Sequence, residues 1–252
     1  MSIIIKSEHE IAAMRQAGRI VASVLGVLRT QLKPGMKTKE LDDIAARELE
    51  KLGAKASFKG YRGFPASLCV SINDEIVHGI PGKRVIKEGD IVSLDLGATF
   101  DGFQGDAAIT VGVGKTSSKA RQLMETTEAA LRAGINAAHD GARLGDVSAA
   151  IQEYVESRGF SVVREYTGHG IGSKLHEDPQ IPNFVQTDAA SLELKLKKGM
   201  TLAIEPMANA GDWRTRAGDD NWVVFTADGS LSAHFEHTIA ITDGEPEVLT
   251  VV

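Results

Sequence analysis

The sequence predicts an α+β fold of two related halves, because the same order of segments occurs twice along its 252 residues. In each half, two amphipathic segments of helical period precede short runs rich in β-branched residues, the pattern of two helices followed by strands. The halves also share local sequence: KEGDIVSLD, ending at Asp95, aligns with KKGMTLAIE, ending at Glu205. We therefore expect a single domain over residues 1–252, with halves of roughly 1–115 and 116–252 that close on a shared sheet.

The first half begins with two helices. Ser7 and Glu10 have the spacing of a capping box, and apolar residues then recur at helical intervals as far as Leu32. The segment LKPGMK ends this helix. A second helix begins near Thr38 and stops at Gly53, because glycine readily takes the left-handed conformation that terminates helices.

Strand signals follow, and the second half repeats the order. The predicted strands of the first half are SLCVSIN, DIVSLDLGATF and DAAITVGVG. The second half has helical patterns in SKARQLMETTEAALRAGINAA and GDVSAAIQEYVESRGF, then strand patterns in SVVREY, MTLAIEP, WVVFT and HTIAIT. Asp101-Gly102 is a strong type I′ turn signal. A hairpin closed by this turn pairs Phe100 with Phe103 and Gly97 with Asp106.

Composition excludes several classes of protein. A net charge of −6 and a pI near 5.7 argue against a general nucleic-acid or anionic-membrane surface. The single cysteine, Cys69, excludes an internal disulfide and fits a reducing compartment. Apolar stretches such as GRIVASVLGVL are too short and interrupted to span a bilayer, and MSIIIKSEHE lacks the regions of a signal peptide. We expect a cytoplasmic protein.

Four acidic residues occur in comparable strand positions. In the predicted hairpin, Asp95 and Asp106 are diagonal neighbours with backbones roughly 7–8 Å apart. Glu205 follows the apolar run MTLAI, and Glu236 leads into the strand HTIAIT. A carboxylate on a buried strand is costly unless its charge is compensated. These residues therefore need positively charged partners.

The sequence favours divalent cations as the positive charges that balance these carboxylates. Two unit charges about 4 Å apart repel by about 4 kcal/mol at an effective dielectric of 20, so four converged carboxylates do not stay ionised alone. Lysine or arginine could serve, but none lies directly beside any of the four in sequence. Two divalent ions would balance four negative charges, and carboxylates with histidine suit Mn²⁺, Fe²⁺, Co²⁺ or Zn²⁺.

Two histidines seven residues apart lie in the glycine-rich segment YTGHGIGSKLHEDPQ. On a helix, His169 and His176 would be about 10 Å apart along the axis, too far to hold one ion, and on a continuous strand they would face opposite ways. One histidine is therefore expected to bind metal and the other to contact substrate.

Several motifs in this order resemble one family over essentially the whole chain. HGIPG, DLGATFDGFQGDAAIT, TGHGIG with LHEDP, AIEPM and FEHTIAIT are similar to type I methionine aminopeptidases of the short bacterial form. The resemblance implies the pita-bread fold, with a central, mainly antiparallel sheet covered by helices. It also implies that two metal ions are held, one by Asp95, the other by His169 and Glu205, with Asp106 and Glu236 bridging both.

The same resemblance implies the reaction and its substrate. A water activated by two metal ions (Co, Mn, Fe or Zn) attacks the scissile carbonyl, which His176 contacts. His78 hydrogen-bonds near the scissile nitrogen, and Glu205 transfers protons. The expected substrate is the N-terminus of a nascent protein whose initiator methionine precedes a small residue. The enzyme is expected to be monomeric, without nucleic-acid or membrane partners, and an association with the ribosome is left open.

An apolar pocket for the methionine side chain is implied as well. Its matching residues are Tyr61, Phe64, Cys69, Leu175 and Trp222. Phe64 stands where some members have tyrosine and Leu175 where some have phenylalanine, so the shape of the pocket is open. The alternative for each residue is an ordinary place in the core.

Other readings are less well supported. GVGKT resembles the end of a phosphate-binding loop, but Ile109 occupies the position that needs glycine. Aminopeptidase P and prolidase share the domain but carry a large N-terminal domain, whereas only 34 residues precede GMKTKE here. A non-catalytic module would lack metal ligands that this chain retains, and the helical insertion of type II methionine aminopeptidases is missing between Glu205 and Glu236.

Overall fold

The computed structural model describes residues 3–186 and 190–252. Met1 and Ser2, the first residues of the segment compared with signal peptides, lie outside the described residues. In each half two helices precede the strands, as the sequence predicts. Within the described ranges the α-helices are α1 Glu8–Gln31, α2 Thr38–Lys51, α3 Ser118–Ala137 and α4 Leu144–Glu156. Short 3-10 helices cover Tyr61–Gly63 and Ala190–Glu193.

The strands are short except for one long hairpin. In chain order they are β1 Lys55–Ala56, β2 Cys69–Ile72, β3 Glu75–Val77, β4 Ile91–Phe100, β5 Phe103–Gly112, β6 Ser161–Val162, β7 Thr167–Gly170, β8 Glu177–Pro182, β9 Thr201–Ile204, β10 Met207–Asn209, β11 Thr215–Ala217, β12 Val224–Thr226, β13 Ser232–His234, β14 Glu236–Ala240 and β15 Glu247–Val248.

One large sheet organises the molecule. In the part of the chain that the structure describes, its nine strands run in the order β1-β4-β5-β14-β9-β7-β8, with β2 also paired to β4 and β15 to β14. Two three-stranded sheets, β13-β10-β6 and β11-β12-β3, flank it. The pairings between these strands are antiparallel. The predicted α+β class with a mainly antiparallel central sheet is confirmed.

Local signals set the ends of the elements. The Ser7 hydroxyl accepts from the Glu10 amide at 3.4 Å, while the Glu10 carboxylate accepts from the Ser7 amide at 2.8 Å, so the predicted capping box forms. Gly53 takes a φ of 71° just after α2. The β4–β5 hairpin has the predicted register, with Phe100 paired to Phe103. Its turn residues Asp101 and Gly102 both have positive φ, as a type I′ turn requires.

Several predicted strands are shorter than expected, and SVVREY is shortened most. SVVREY forms a strand only over Ser161–Val162, because its partner β10 has three residues and pairs with two of them, Val162 with Ala208 and Ser161 with Asn209. The remaining residues continue as irregular backbone.

The helices cover one face of the large sheet. Leu25 of α1 and Leu41 of α2 share a buried cluster with Leu94 and Leu96 of β4. In the other half, Leu131 of α3 and Ile151 of α4 share a second cluster with Ile204 and Ile239. Complete burial of each such side chain contributes about 1.5–3 kcal/mol.

The first helix is longer than the apolar stretch considered in the sequence analysis as a membrane span. By length and composition α1 could cross a membrane, since the helix extends well beyond the stretch GRIVASVLGVL. In the structure, however, 56% of its most apolar window is buried inside the protein. Its apolar face packs on the hairpin sheet, which accounts for the composition of a core helix.

Candidate metal centre and substrate cleft

The acidic residues lie on the sheet face that the helices leave uncovered. Along β4, Leu94 and Leu96 belong to the cluster beneath the helices, so alternation turns Asp95 to the opposite face. The same alternation applies in β14, where Ile239 packs with the helices and Glu236 lies on the other face. One face of the sheet therefore forms the core, and the other can form a site.

Strand register brings the five predicted metal ligands together. Ala108 of β5 is the Cα partner of both Asp95 and Glu236, so these acids flank the same position on neighbouring strands. Asp106, two residues before Ala108, shares its face, and His169 of β7 is paired with Ala203 of β9. Glu205 follows the end of β9. Its carbonyl accepts a hydrogen bond from the buried Asn183 amide at 3.0 Å, which fixes the chain just before Pro206.

The ligand atoms are close enough to surround a cation. One potential ligand atom from each of Asp106, His169 and Glu236 lies within 4.8 Å of the other two, and all three residues are buried. His169 Nε2 is 3.6 Å from a Glu205 oxygen and 3.9 Å from an Asp106 oxygen. Its Nδ1 lies 2.9 Å from the carbonyl of Gly170, which leaves Nε2 directed toward the acids.

Electrostatics indicate that this cluster requires a compensating positive charge. Burial raises the pKa of Asp95 to about 7. Burial, and then the neighbouring carboxylates, raise the pKa values of Asp106, Glu205 and Glu236 well above their ordinary range. Burial also lowers the pKa of His169 to about 4. Among the described residues, none of the four acids forms an ion pair with lysine or arginine.

The hydrogen-bonding inventory leads to the same conclusion. One oxygen each of Asp95, Asp106 and Glu236 is buried without a hydrogen-bond partner among the described residues. Buried carboxylate oxygens in native proteins ordinarily have a partner. Oxygen donors with one imidazole suit divalent transition metals, so the donor set and its unsatisfied atoms fit cations of this class.

A cleft of about 650 Å³, its open mouth included, adjoins the acids. It is bordered by every residue that the sequence analysis assigned to the site. The acids and His169 occupy one part of its lining, and apolar side chains occupy another. These apolar residues are Tyr61, Phe64, Cys69, Leu175 and Trp222. Phe64 and Trp222 meet edge to face with ring centroids 5.0 Å apart, and together they form an aromatic corner.

His176 is held between aromatic rings at the cleft. Its imidazole stacks on Tyr61 at 5.2 Å with an interplanar angle of 19°, and it lies 4.1 Å from the ring of His169. Loss of solvent lowers the pKa of His176, and His169 and Arg62 lower it further. His176 is therefore a neutral imidazole near neutral pH, able to donate one N–H hydrogen bond.

His78 is held in place by its backbone. It has a φ of 61°, which is uncommon outside glycine, and its ring meets Trp222 edge to face at 6.3 Å. A Cβ at the adjacent Gly79 would come within 2.2 Å of the Val70 carbonyl oxygen, so only glycine fits there. This close packing against β2 fixes the direction in which His78 enters the cleft.

The structure adds residues that the sequence analysis missed. Phe58 and Arg62 also border the cleft. His234 is 1% exposed, and its Nε2 lies 3.8 Å from a Glu205 oxygen. The only sequence signal for His234 was its place two residues before Glu236, and the structure puts the two residues at the adjoining ends of β13 and β14. Phe58 and Arg62 had no such signal, since they lie in irregular chain around a short 3-10 helix.

Comparisons with known proteins agree on one family. The sequence profile of metallopeptidase family M24 matches residues 12–243. Methionine aminopeptidase 1 from Bacillus subtilis is 53% identical over 99% of this chain and 100% of its own length. A crystal structure of methionine aminopeptidase from Thermotoga maritima superposes with a TM-score of 0.96, at 48% identity and complete coverage of both chains.

A more distant structure shares the fold alone. The Xaa-Pro dipeptidase from Bacillus anthracis has a TM-score of 0.78 at 24% identity, and the match covers 98% of this chain but 61% of that protein. The likeness extends the predicted pita-bread architecture to proline-directed relatives. The high identities and complete coverage are with methionine aminopeptidases.

Proposed function

The chain belongs to the methionine aminopeptidases of metallopeptidase family M24, and we propose that it removes the initiator methionine from nascent proteins whose second residue is small. One observation carries this proposal. Four carboxylates, with Asp106 and Glu236 buried and Asp95 and Glu205 half-buried, converge with His169 beside an apolar cleft. Three of these carboxylates have an oxygen without a hydrogen-bond partner among the described residues.

We propose two divalent cations for this site. Asp95 would hold one, His169 and Glu205 the other, and Asp106 and Glu236 would contact both. Two ions are favoured over one because two balance the four carboxylates. The same donor set accepts Co, Mn, Fe or Zn, and availability in the cell often decides between such metals. When bound, divalent ions supply Lewis-acid chemistry, in that they acidify water and polarise a carbonyl.

His176 is the proposed hydrogen-bond donor to the scissile carbonyl. Its neutral imidazole is stacked between Tyr61 and His169 at the cleft, so the donor is oriented before substrate arrives. A preorganised donor of this kind stabilises negative charge that develops on the carbonyl oxygen, and removal of one such donor typically costs about 10²–10³ in kcat.

Two further side chains complete the proposed mechanism. Glu205 would carry a proton to the leaving amine, since its carboxylate borders the cleft beside His169. His78 would hydrogen-bond near the scissile amide nitrogen. Its backbone is fixed by the close contact of Gly79 with β2.

Preference for methionine is proposed from the aromatic and aliphatic lining of the cleft. Phe64 is 3% and Leu175 4% exposed, so the substrate side chain would meet a wall that is already packed. An unbranched thioether adapts to such a surface and gains contacts with aromatic rings. We also propose that the enzyme acts as a monomer in the cytoplasm, where nascent chains carry initiator methionine.

A comparison of three peptides tests the proposal. With purified protein and added Mn²⁺ or Co²⁺, release of the first residue is expected from Met-Ala-Ser and to be much slower from Met-Lys-Ser. Little release is expected from Ala-Pro-Ala. Faster cleavage of Ala-Pro-Ala would instead assign the chain to the proline-directed activity of its more distant structural neighbours. Metal analysis of protein purified without added cobalt identifies the ions.

A further inference from the structure

Lys6 and Glu177 form an ion pair that is almost fully buried. Lys6 Nζ lies 2.5 Å from Glu177 Oε2, and the two side chains are 3% and 4% exposed. Lys6 Nζ also donates to the carbonyl of Ile4 at 3.1 Å. The Arg15–Glu247 pair is a useful contrast, because its side chains are 33% and 36% exposed.

The ion pair connects two segments that are far apart in sequence. Lys6 lies just before α1, and its backbone amide donates to the Gly199 carbonyl at 2.8 Å. Glu177 directly follows His176 and begins β8. The other oxygen of Glu177 accepts from the Lys174 amide at 3.2 Å, so one carboxylate contacts both Lys6 and the loop that carries His176.

The loop backbone packs directly on this pair. A Cβ added at Gly172 would lie 2.5 Å from Lys6 Cε and 2.6 Å from Glu177 Oε1. The Gly172 amide donates to the Lys174 carbonyl at 3.0 Å, and its carbonyl accepts from the Gln104 amide of β5 at 2.8 Å. The segment 172–177 is therefore confined between the ion pair on one side and the hairpin on the other.

A buried ion pair is a poor source of stability by itself. Removing two charges from water costs several kcal/mol each, and well-packed apolar residues in the same place are often equally or more stable. An ion pair does, however, impose direction and distance on the chains that carry it. Here one of those chains presents His176, whose ring must face the substrate cleft.

We propose that Lys6 is a positioning residue, which through Glu177 holds the loop 172–177 so that His176 faces the scissile carbonyl. This inference rests on the proposed function. It assigns no contact with substrate to Lys6. Lys6 affects the orientation of the His176 imidazole and does not alter the positions of the metal ligands.

Substitution of both Lys6 and Glu177 distinguishes an effect on the position of His176 from an effect on the stability of the protein. Lys6→Met alone leaves the buried Glu177 carboxylate uncompensated, so a lower melting temperature is expected. The double variant Lys6→Met/Glu177→Met replaces the pair with apolar side chains of similar length and is expected to recover thermal stability and normal metal content. Its kcat for Met-Ala-Ser should nevertheless stay about a hundredfold below that of the unmodified protein, the scale expected when a catalytic group is misplaced by about 1 Å. KM should change little.

Arg15→Met provides the matched control. It removes a positive charge and an ion pair from the same end of the chain, but its partner Glu247 lies in β15 and not in the loop 172–177. Its kcat is expected to equal that of the unmodified protein. A double Lys6/Glu177 variant with normal kcat would overturn the proposal, as would a kcat that recovers together with the melting temperature.

A second readout is independent of turnover. In protein labelled with ¹⁵N-histidine, the ring signals of His176, assigned with His176→Gln, should shift in the double variant and not in Arg15→Met. Unchanged ring signals would contradict the positioning role. If the unmodified protein fails to release methionine, the proposed function fails by itself, and the histidine spectra still decide whether the ion pair orients His176.

Discussion

The rings of His169 and His176 lie 4.1 Å apart between centroids, tilted by 39°, although seven positions separate them in sequence. The chain turns back after β7, and Gly170 pairs with Glu177, so the two histidines meet across adjacent strands. His169 Nε2 lies within 4 Å of oxygens of Asp106 and Glu205, whereas His176 stacks on Tyr61. This geometry supports the proposed division between a metal ligand and a substrate donor.

Asp106→Asn is expected to abolish stable metal binding and turnover. Loss of residues that merely support metal ligands costs about 10–100-fold in affinity, so loss of a shared ligand should exceed about a hundredfold. The fold should persist, because the substitution removes one of four mutually repelling carboxylates. Metal content by mass spectrometry and release of methionine from Met-Ala-Ser check this prediction.

The control for that experiment is Asp101→Asn, an isosteric change at the exposed hairpin turn. Asparagine tolerates the positive φ found there, so metal content and rate should match the unmodified protein. Normal activity in Asp106→Asn would count against the proposed site.

His176→Ala is expected to keep its metal and lose turnover. If His176 donates to the carbonyl oxygen, its removal should lower kcat by about 10²–10³ and leave metal affinity within a few-fold. His169→Ala should lower both, since its ring nitrogen lies among the acids. Metal titration of both variants by calorimetry, alongside kinetics, makes the comparison. Loss of metal in His176→Ala would mean that the two roles are reversed.

The stability of metal-free protein should depend on pH through Asp95. Its pKa is 3.8 ordinarily and about 7 in the fold, so the folded state binds the proton more tightly than the unfolded state does. Between these values folding takes up a proton, and the contribution of Asp95 to stability therefore falls as pH rises. Metal-free Asp95→Asn should thus be more stable than the unmodified protein near pH 7.5, by up to about 4 kcal/mol, and the advantage should shrink toward pH 4.

Comparison of variant and unmodified protein is needed because buried histidines oppose this trend. Burial lowers the pKa values of His169 and His234, so their contribution to stability rises with pH. That contribution largely cancels in the difference between the two proteins. Urea unfolding of both proteins in the presence of a chelator measures the difference in their free energies of unfolding. A difference that stays constant across pH would contradict the prediction.

Two glycines of α1 should respond to alanine in opposite directions. A Cβ at Gly18 would lie 2.3 Å from the Leu249 carbonyl oxygen, whereas a Cβ at Gly26 would meet nothing within 4 Å. Gly18→Ala is expected to cost about 1–3 kcal/mol because the helix must move from its neighbour. Gly26→Ala should stabilise by about 0.5–1 kcal/mol through its helix propensity. Denaturant unfolding of the two variants compares them, and equal effects would contradict the close approach.

Much of this fold could be predicted from the sequence, because several helix ends and turns depend only on short segments of the chain. The capping box at Ser7, the stop at Gly53 and the hairpin register around Asp101-Gly102 each depend on residues a few positions apart, and each was predicted. The hairpin register made Asp95 and Asp106 neighbours. The proximity of these two of the four acids could therefore be predicted without knowing how the other strands pair. Strand position indicated Glu205 and Glu236, the glycine-rich segment indicated His169 and His176, and motif resemblance added His78 and the apolar residues. The structure brings all of them to one cleft.

Only the tertiary structure decided which distant segments meet. The order β5-β14-β9-β7 sets Glu236 beside Ala108 and His169 beside Ala203. These pairings join residues 128 and 34 positions apart in sequence, with no local signal between them. The contacts of Arg62, His234 and the buried Lys6–Glu177 pair arise in the same way. Local sequence encodes dihedral preferences and alternation of faces, whereas contacts between distant segments depend on the packing of the whole chain, which no short pattern contains.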